Sequence, residues 1–183
     1  MWYPASVVTP AEAEPVTLAQ ARTQCHVLSS ETHFDALLTQ LIADARDVVE
    51  QRCGIRIAGQ TVVARCDGFA DFVRLPVAPV QSVVTVAYVD TAGDDQDLDA
   101  GAYDLRADGL EAAIVPAFGQ SWPAIRPGSR ISVTMVAGFD DVPPSLTQAM
   151  LLHIAEAFRT AEPVKVDGWT TFDSRLVNFM RGA

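Results

Sequence analysis

Three histidines, an acidic loop, a Gly-x-Ser turn and three cysteines are the residues whose types could do chemistry in this chain. His153-Ile154-Ala155-Glu156 sits in a helical pattern, but the metalloprotease arrangement His-Glu-x-x-His is absent. A metal needs several convergent ligands. His26, His33 and His153 are therefore read as solvated or packed side chains. Asp95, Asp97 and Asp99 match the first, third and fifth positions of a calcium-binding EF-hand loop. Ala100 then stands where that loop needs glycine and Arg106 where it needs glutamate, so a solvated hairpin tip is expected instead. Gly119-Gln120-Ser121-Trp122-Pro123 shares only its first three letters with the Gly-x-Ser-x-Gly nucleophile elbow, and Pro123 breaks the motif. Cys25, Cys53 and Cys66 are odd in number, widely spaced and without a base partner in sequence. No catalytic residue, metal site or cofactor is expected, and the chain reads as a non-enzyme.

Composition agrees with a structural or binding part. The chain of 183 residues fits one domain, or one domain with a sizeable insert. That length buries roughly 70% of the unfolded surface without a staple. The net charge is -10, which argues against a phosphate-gripping surface but not against DNA passing nearby unheld. The cysteine usage fits a reducing cytosol. MWYPASVVTP has neither the basic start nor the apolar core of a secretory signal. No run of about 18 apolar residues exists, so no membrane partner is expected.

The elements that must position these residues come in two kinds. Residues 1–16, rich in Pro, Ala and Glu, read as an extended N-terminal arm. Thr17 with Gln20 forms a capping-box pattern opening a first helix. Thr32 is expected to cap a second, long helix ending at Cys53, with Gly54 as its stop. Phe34, Leu37, Leu38, Leu41, Ile42, Ala45, Val48 and Val49 repeat there at three- and four-residue steps, an amphipathic face. Ser145 with Gln148 repeats the capping spacing and opens a third helix over Leu146, Met150, Ile154, Ala157 and Phe158.

Between them, residues 55–142 change period. Gln60–Cys66, Phe72–Leu75, Val83–Val89, Tyr103–Arg106, Ala112–Val115 and Arg130–Ala137 read as short strands joined by polar turns, an antiparallel sheet or small barrel. The fold class expected is α+β: an α-helical bundle core over 17–54 and 143–162, with its long helices near 32–53 and 145–160, carrying an inserted antiparallel β-domain. Beyond Pro163, Trp169, Phe172, Leu176, Phe179 and Met180 crowd large apolar groups into a short tail, with a final helix expected over Asp173–Arg181. Two readings of that tail stay open: it folds back onto the helices, or it docks on a neighbour, since aromatics often anchor interfaces.

The order of short motifs carries a resemblance. Pro15-Val16-Thr17-Leu18-Ala19-Gln20-Ala21, Glu50-Gln51-Arg52-Cys53-Gly54, Arg74-Leu75-Pro76, Pro79-Val80-Gln81-Ser82-Val83, Tyr88-Val89-Asp90, Gly119-Gln120-Ser121-Trp122-Pro123, Val136-Ala137-Gly138-Phe139 and Val142-Pro143-Pro144-Ser145-Leu146 follow one another across residues 15–160. This arrangement resembles the head-to-tail connector (adaptor) proteins of tailed bacteriophages and of phage-derived gene transfer agents. The resemblance implies a virion protein of the phage neck, active in DNA packaging, assembled as an oligomeric ring of about twelve copies. It implies portal binding on one side, a stopper or tail-completion protein on the other, and DNA passing through the lumen without sequence-specific contact. It places the chain in the neck of a phage or phage-like particle, and in the bacterial host cytoplasm during assembly.

The interface residues expected on this basis are Trp169, Phe172, Leu176 and Phe179 for portal or neighbour docking. The loop carrying Asp95 and Asp97 and the loop carrying Trp122 are expected to meet a neighbouring subunit or the stopper. The alternative is a small ligand-binding module with its site in the β-domain around Trp122 and Tyr103.

Overall fold

The computed structural model describes residues 1–160 and 168–181. The chain is mixed α+β, and it divides into two compact units, Met1–Glu12 with Gly59–Phe139 and Ala13–Ala58 with Asp140–Ala183.

The first unit is built on β-branched alternation. Strands β1 (Ser6–Thr9), β2 (Gln60–Cys66), β3 (Val80–Val89), β4 (Asp95–Asp97) and β7 (Ile131–Ala137) form an antiparallel sheet in the order β1-β2-β7-β3-β4. Strands β5 (Tyr103–Asp108) and β6 (Glu111–Pro116) form a separate hairpin. Its turn needs φ above zero at the first central residue, and Gly109 supplies φ 62 there. Strands β2 and β7 pair Val62 with Met135 and Ala64 with Val133, so a single face buries Val62, Ala64, Cys66, Ile131, Val133 and Met135. Against that face lie Phe69, Phe72, Leu75 and Val77, with Ala112 and Ile114 of β6.

Two sequence expectations need amending here. Phe72–Leu75 is not a strand: Phe69–Val73 is a 3-10 helix. Its i, i+3 eclipse puts Phe69 and Phe72 on one side, into the core, where their rings meet edge to face at 5.3 Å. The residues assigned to an extended arm contain β1, paired to β2 through Val7 and Val62, and Trp2 bridges Cys66. The Trp2 ring stacks on Phe72 at 5.9 Å and its indole N–H donates to the Asp71 carbonyl at 2.9 Å.

The second unit contains, among its described residues, helices α1 (Leu18–Cys25), α2 (Asp35–Cys53), α3 (Pro144–Arg159) and α4 (Thr171–Leu176). Helices α2 and α3 pack together, and α1 and α4 each lie against α3. The buried stripe of α2 is Leu38, Ile42, Ala45, Val49 and Cys53, while Leu37 faces outward. That of α3 is Leu146, Ala149, Met150, Ile154 and Ala155.

Helix ends follow their local chemistry. Thr17 and Gln20 form the expected reciprocal box, with the Gln20 amide N–H donating to Thr17 Oγ1 at 3.3 Å and Thr17 N–H to Gln20 Oε1 at 2.8 Å. Gly54 ends α2 at φ 67 and donates to the Glu50 carbonyl. Thr32 and Ser145 do not cap. Thr32 lies inside a 3-10 turn, Thr32–Phe34, that leads into α2. Pro144 begins α3 one residue earlier, where its missing N–H costs nothing.

Candidate partner-binding surfaces

The C-terminal helix is fixed at its start. Thr170 and Asp173 make a capping box: Thr170 N–H and hydroxyl donate to Asp173 Oδ2 at 2.9 and 2.7 Å, and Asp173 N–H donates to Thr170 Oγ1 at 3.2 Å. Arg52, in the last turn of α2, makes an ion pair with the other carboxylate oxygen of Asp173. The hydrogen bond from the Thr170 hydroxyl holds the Asp173 carboxyl below the usual range; the Thr170 amide and the Arg52 charge add to it, outweighing its burial. The helix therefore starts at Thr171, two residues before the expected Asp173. The Thr-x-x-Asp spacing was the available signal for a start at Thr171.

The four expected docking residues are therefore placed very differently. Leu176 is fully buried at 0% exposure in the core of its own unit. The half-buried Phe172 ring has the Arg52 guanidinium 6.0 Å from its centroid and the His153 ring at the same distance. Phe179 is half-buried in a closing 3-10 turn, Val177–Phe179. Trp169 is 64% exposed, its indole N–H donating to Ser174 Oγ at 2.8 Å. That bond fixes the ring while leaving its apolar area in water. Residues 163–167 and 182–183 of the expected docking segment lie outside the described residues.

Asp95 and Asp97 lie exposed on the edge strand β4, opposite Val89 and Ala87. The turn before them is organised by Asp90, whose Oδ1 accepts from the N–H groups of Ala92, Gly93 and Asp94 at 2.8, 2.9 and 3.0 Å. The Asp94 amide is the main cause that lowers the Asp90 carboxyl pKa. A cleft of ≈ 220 Å³ opens beside β4, lined by Ala87, Tyr88, Gln96, Asp97, Arg130 and Ser132 among others. Arg130 stacks its guanidinium over the Tyr3 ring, 4.0 Å from the centroid.

Trp122 is part of an aromatic cluster. It stacks on Phe69 at 4.8 Å with planes 4° apart and meets Phe72 edge-on at 5.5 Å. Tyr103, half-buried at the start of β5, has its hydroxyl pKa raised by burial and then by the Asp99 charge. Asp99 caps the short turn before it, accepting from Gly101 N–H at 2.6 Å.

Two of the three histidines contact a neighbouring side chain. His153 Nε2 lies 3.0 Å from Asp44 Oδ2, and the His33 ring packs on Phe34 at 3.9 Å. Burial pushes the Cys53 and Cys66 thiols up to about 11. Among the described residues no group of three or more His, Cys, Asp or Glu could hold a metal ion, and no helix is long and apolar enough to cross a membrane. One candidate escaped sequence reasoning: Phe118, between Pro116 and Gly119, is fully exposed.

No protein-family model matches this sequence, and neither does any curated protein. Solved structures do match. A chain in the neck of an empty gene transfer agent particle, computed with C6 symmetry, has a TM-score of 0.82 at 20% identity, covering 99% of this chain and 97% of that one. A chain in the virion of a native gene transfer agent particle has a TM-score of 0.81 at 21% identity, over the same shares. One in the neck of the native particle, computed with C12 symmetry, has a TM-score of 0.78 at 21% identity, again covering 99% and 97%. From end to end, this chain has the fold of a chain found in gene transfer agent particles.

Proposed function

We propose that this protein is a structural head–tail adaptor of a phage or phage-like particle. Copies form a ring, about twelve of them, between the portal and the stopper or tail. The genome passes through the lumen. The observation that carries this reading is the fold shared across 99% of the chain with a chain of the particle neck computed with C6 symmetry. A neck computed with C12 symmetry contains a chain of the same fold, which supports the copy number.

The physics of the job fits the residues. A ring needs two different complementary patches per subunit, closing by rotation. A chain of net charge -10 gives a lumen wall that repels the DNA backbone and lets it slide. Docking on the portal falls to the C-terminal segment through Trp169, whose exposed ring is the free apolar area on the described part of that segment's tryptophan and phenylalanines. The ligand-binding alternative is less well supported, because one face of Trp122 is already taken by Phe69.

Electron microscopy of particles from cells producing this chain tests the reading. Density traceable to the chain between capsid vertex and tail is the expected result. Particles with a complete neck that lacks it, or a lumen lined mainly by Lys and Arg, contradict the reading or its electrostatic part respectively.

A further inference from the structure

Phe118 has an exposure of 104%, more than any other large apolar residue described, at the start of the β6–β7 loop. The loop that carries it is built. Gln120 N–H closes a turn on the Ala117 carbonyl at 2.9 Å, and Ala117 N–H donates to the Ala102 carbonyl at 3.0 Å. Gly119 takes the left-handed position with φ 78. Three residues on, Trp122 is clamped on Phe69. A phenyl ring is thus held out in water by a closed turn whose far end is anchored in the core, which is a preorganised knob.

The knob is also electrically silent. From Ala112 to Ile125 there is no charged side chain, in a chain of net charge -10. The cleft of ≈ 220 Å³ beside β4 is lined by Ala87, Tyr88, Val89 and Arg130, together with Asp95 and Asp97 among others. Tyr3 covers Arg130 at 4.0 Å, and a guanidinium has a second face for a second aromatic ring. The two carboxylates of that lining, Asp95 and Asp97, disfavour a carboxylate-bearing visitor. The acidic β3–β4 turn of another copy would meet like charge there, whereas the neutral Phe118 loop meets none.

We propose that Phe118 of one copy seats in the β3–β4 cleft of the next, forming a head-to-tail contact of the ring. This rests on the ring reading above. Rotational closure requires that each subunit carry a knob and a different receiving surface, and this unit carries one of each.

The test uses particles assembled with a Cys25→Ser chain carrying both Ser121→Cys, on the exposed loop beside the intact Phe118, and Gln96→Cys, treated with a short bis-maleimide. A ladder of multimers rising beyond the dimer is expected from the double variant, and none from either single variant. Phe118→Ala should weaken association between copies at least about 30-fold, as loss of an aromatic anchor does. Val73→Ser, at an apolar residue 78% exposed on the same unit, should leave association unchanged. Circular dichroism checks that these surface variants keep the fold. Rings visible in micrographs with no ladder, equal weakening by Val73→Ser, or cross-links from Ser121→Cys to a different protein alone would overturn the contact and leave the ring reading standing. A neck without a ring of this chain would end both.

Discussion

Arg52 and Asp173, 121 positions apart (173 − 52), form an ion pair that ties the last turn of α2 to the first turn of α4. The acid is buried and serves twice, because its other oxygen closes the capping box with Thr170. The C-terminal helix is thereby held to its own unit, with Leu176 as its apolar anchor one turn on.

Removing this carboxylate tests that link. Asp173→Ala is expected to cost about 1–3 kcal/mol, through a lost cap and an unpaired Arg52. Thermal unfolding measures it. The pH dependence has a definite sign. The folded Asp173 carboxyl titrates below the ordinary 3.8, so its contribution is present above that value and is lost as pH falls through the folded value. The gap in Tm between wild type and Asp173→Asn should therefore be widest near neutral pH and close in acid. A gap that persists unchanged in acid removes the ion pair and cap as its cause.

The thiols make a second prediction. Cys53 and Cys66 titrate near 11 against an ordinary 9.0, which leaves about 100-fold less thiolate at mildly alkaline pH. Both are also buried, whereas Cys25 is partly open. A colourimetric thiol reagent at pH about 8 should modify one group in the native protein, Cys25, and three after denaturation. Rapid native modification at Cys66 would contradict the packing of the β2 face.

Much of this architecture was legible because local chemistry and tertiary packing agree. Gln60–Cys66 is centred on a β-branched run, Thr61-Val62-Val63, and pairs along its full length. Thr17 and Gln20 carry the whole of the α1 cap within four residues. The failures fall where distant partners decide. Phe72 looks like a strand residue, but the apolar face of β2 and β7 draws it and Phe69 inward together through a 3-10 turn. The tail shows the same limit. Trp169, Phe172, Leu176 and Phe179 are alike in composition, and only the fold separates the buried Leu176 from the exposed Trp169. Phe118 was invisible because exposure depends on what surrounds a loop, and no spacing encodes that.

Trp122 distinguishes packing from ligand binding. Its stack on Phe69 at 4.8 Å and edge contact with Phe72 make it a lid on the core of the β unit. Trp122→Ala should cost about 2–4 kcal/mol in chemical denaturation, combining lost apolar burial with two aromatic pairs. A ligand residue would instead leave stability nearly unchanged on replacement. A loss under about 0.5 kcal/mol, the scale of ordinary surface changes, would therefore reopen the binding-module reading.

Trp169 and Leu176 give opposite expectations from the same segment. Leu176, at 0% exposure, packs inside its unit, so Leu176→Ala should lower the stability of the isolated chain by about 2–5 kcal/mol. Trp169→Ser removes an exposed ring whose one described hydrogen bond goes to the neighbouring Ser174, so isolated stability should move by no more than about 0.5 kcal/mol. If the C-terminal segment docks on the portal, the same Trp169→Ser change should sharply reduce incorporation into particles, measured by immunoblot of purified material against capsid protein. Normal incorporation by a stable Trp169→Ser chain would move portal docking away from this residue, because no loss of fold would remain to explain a defect or mask one.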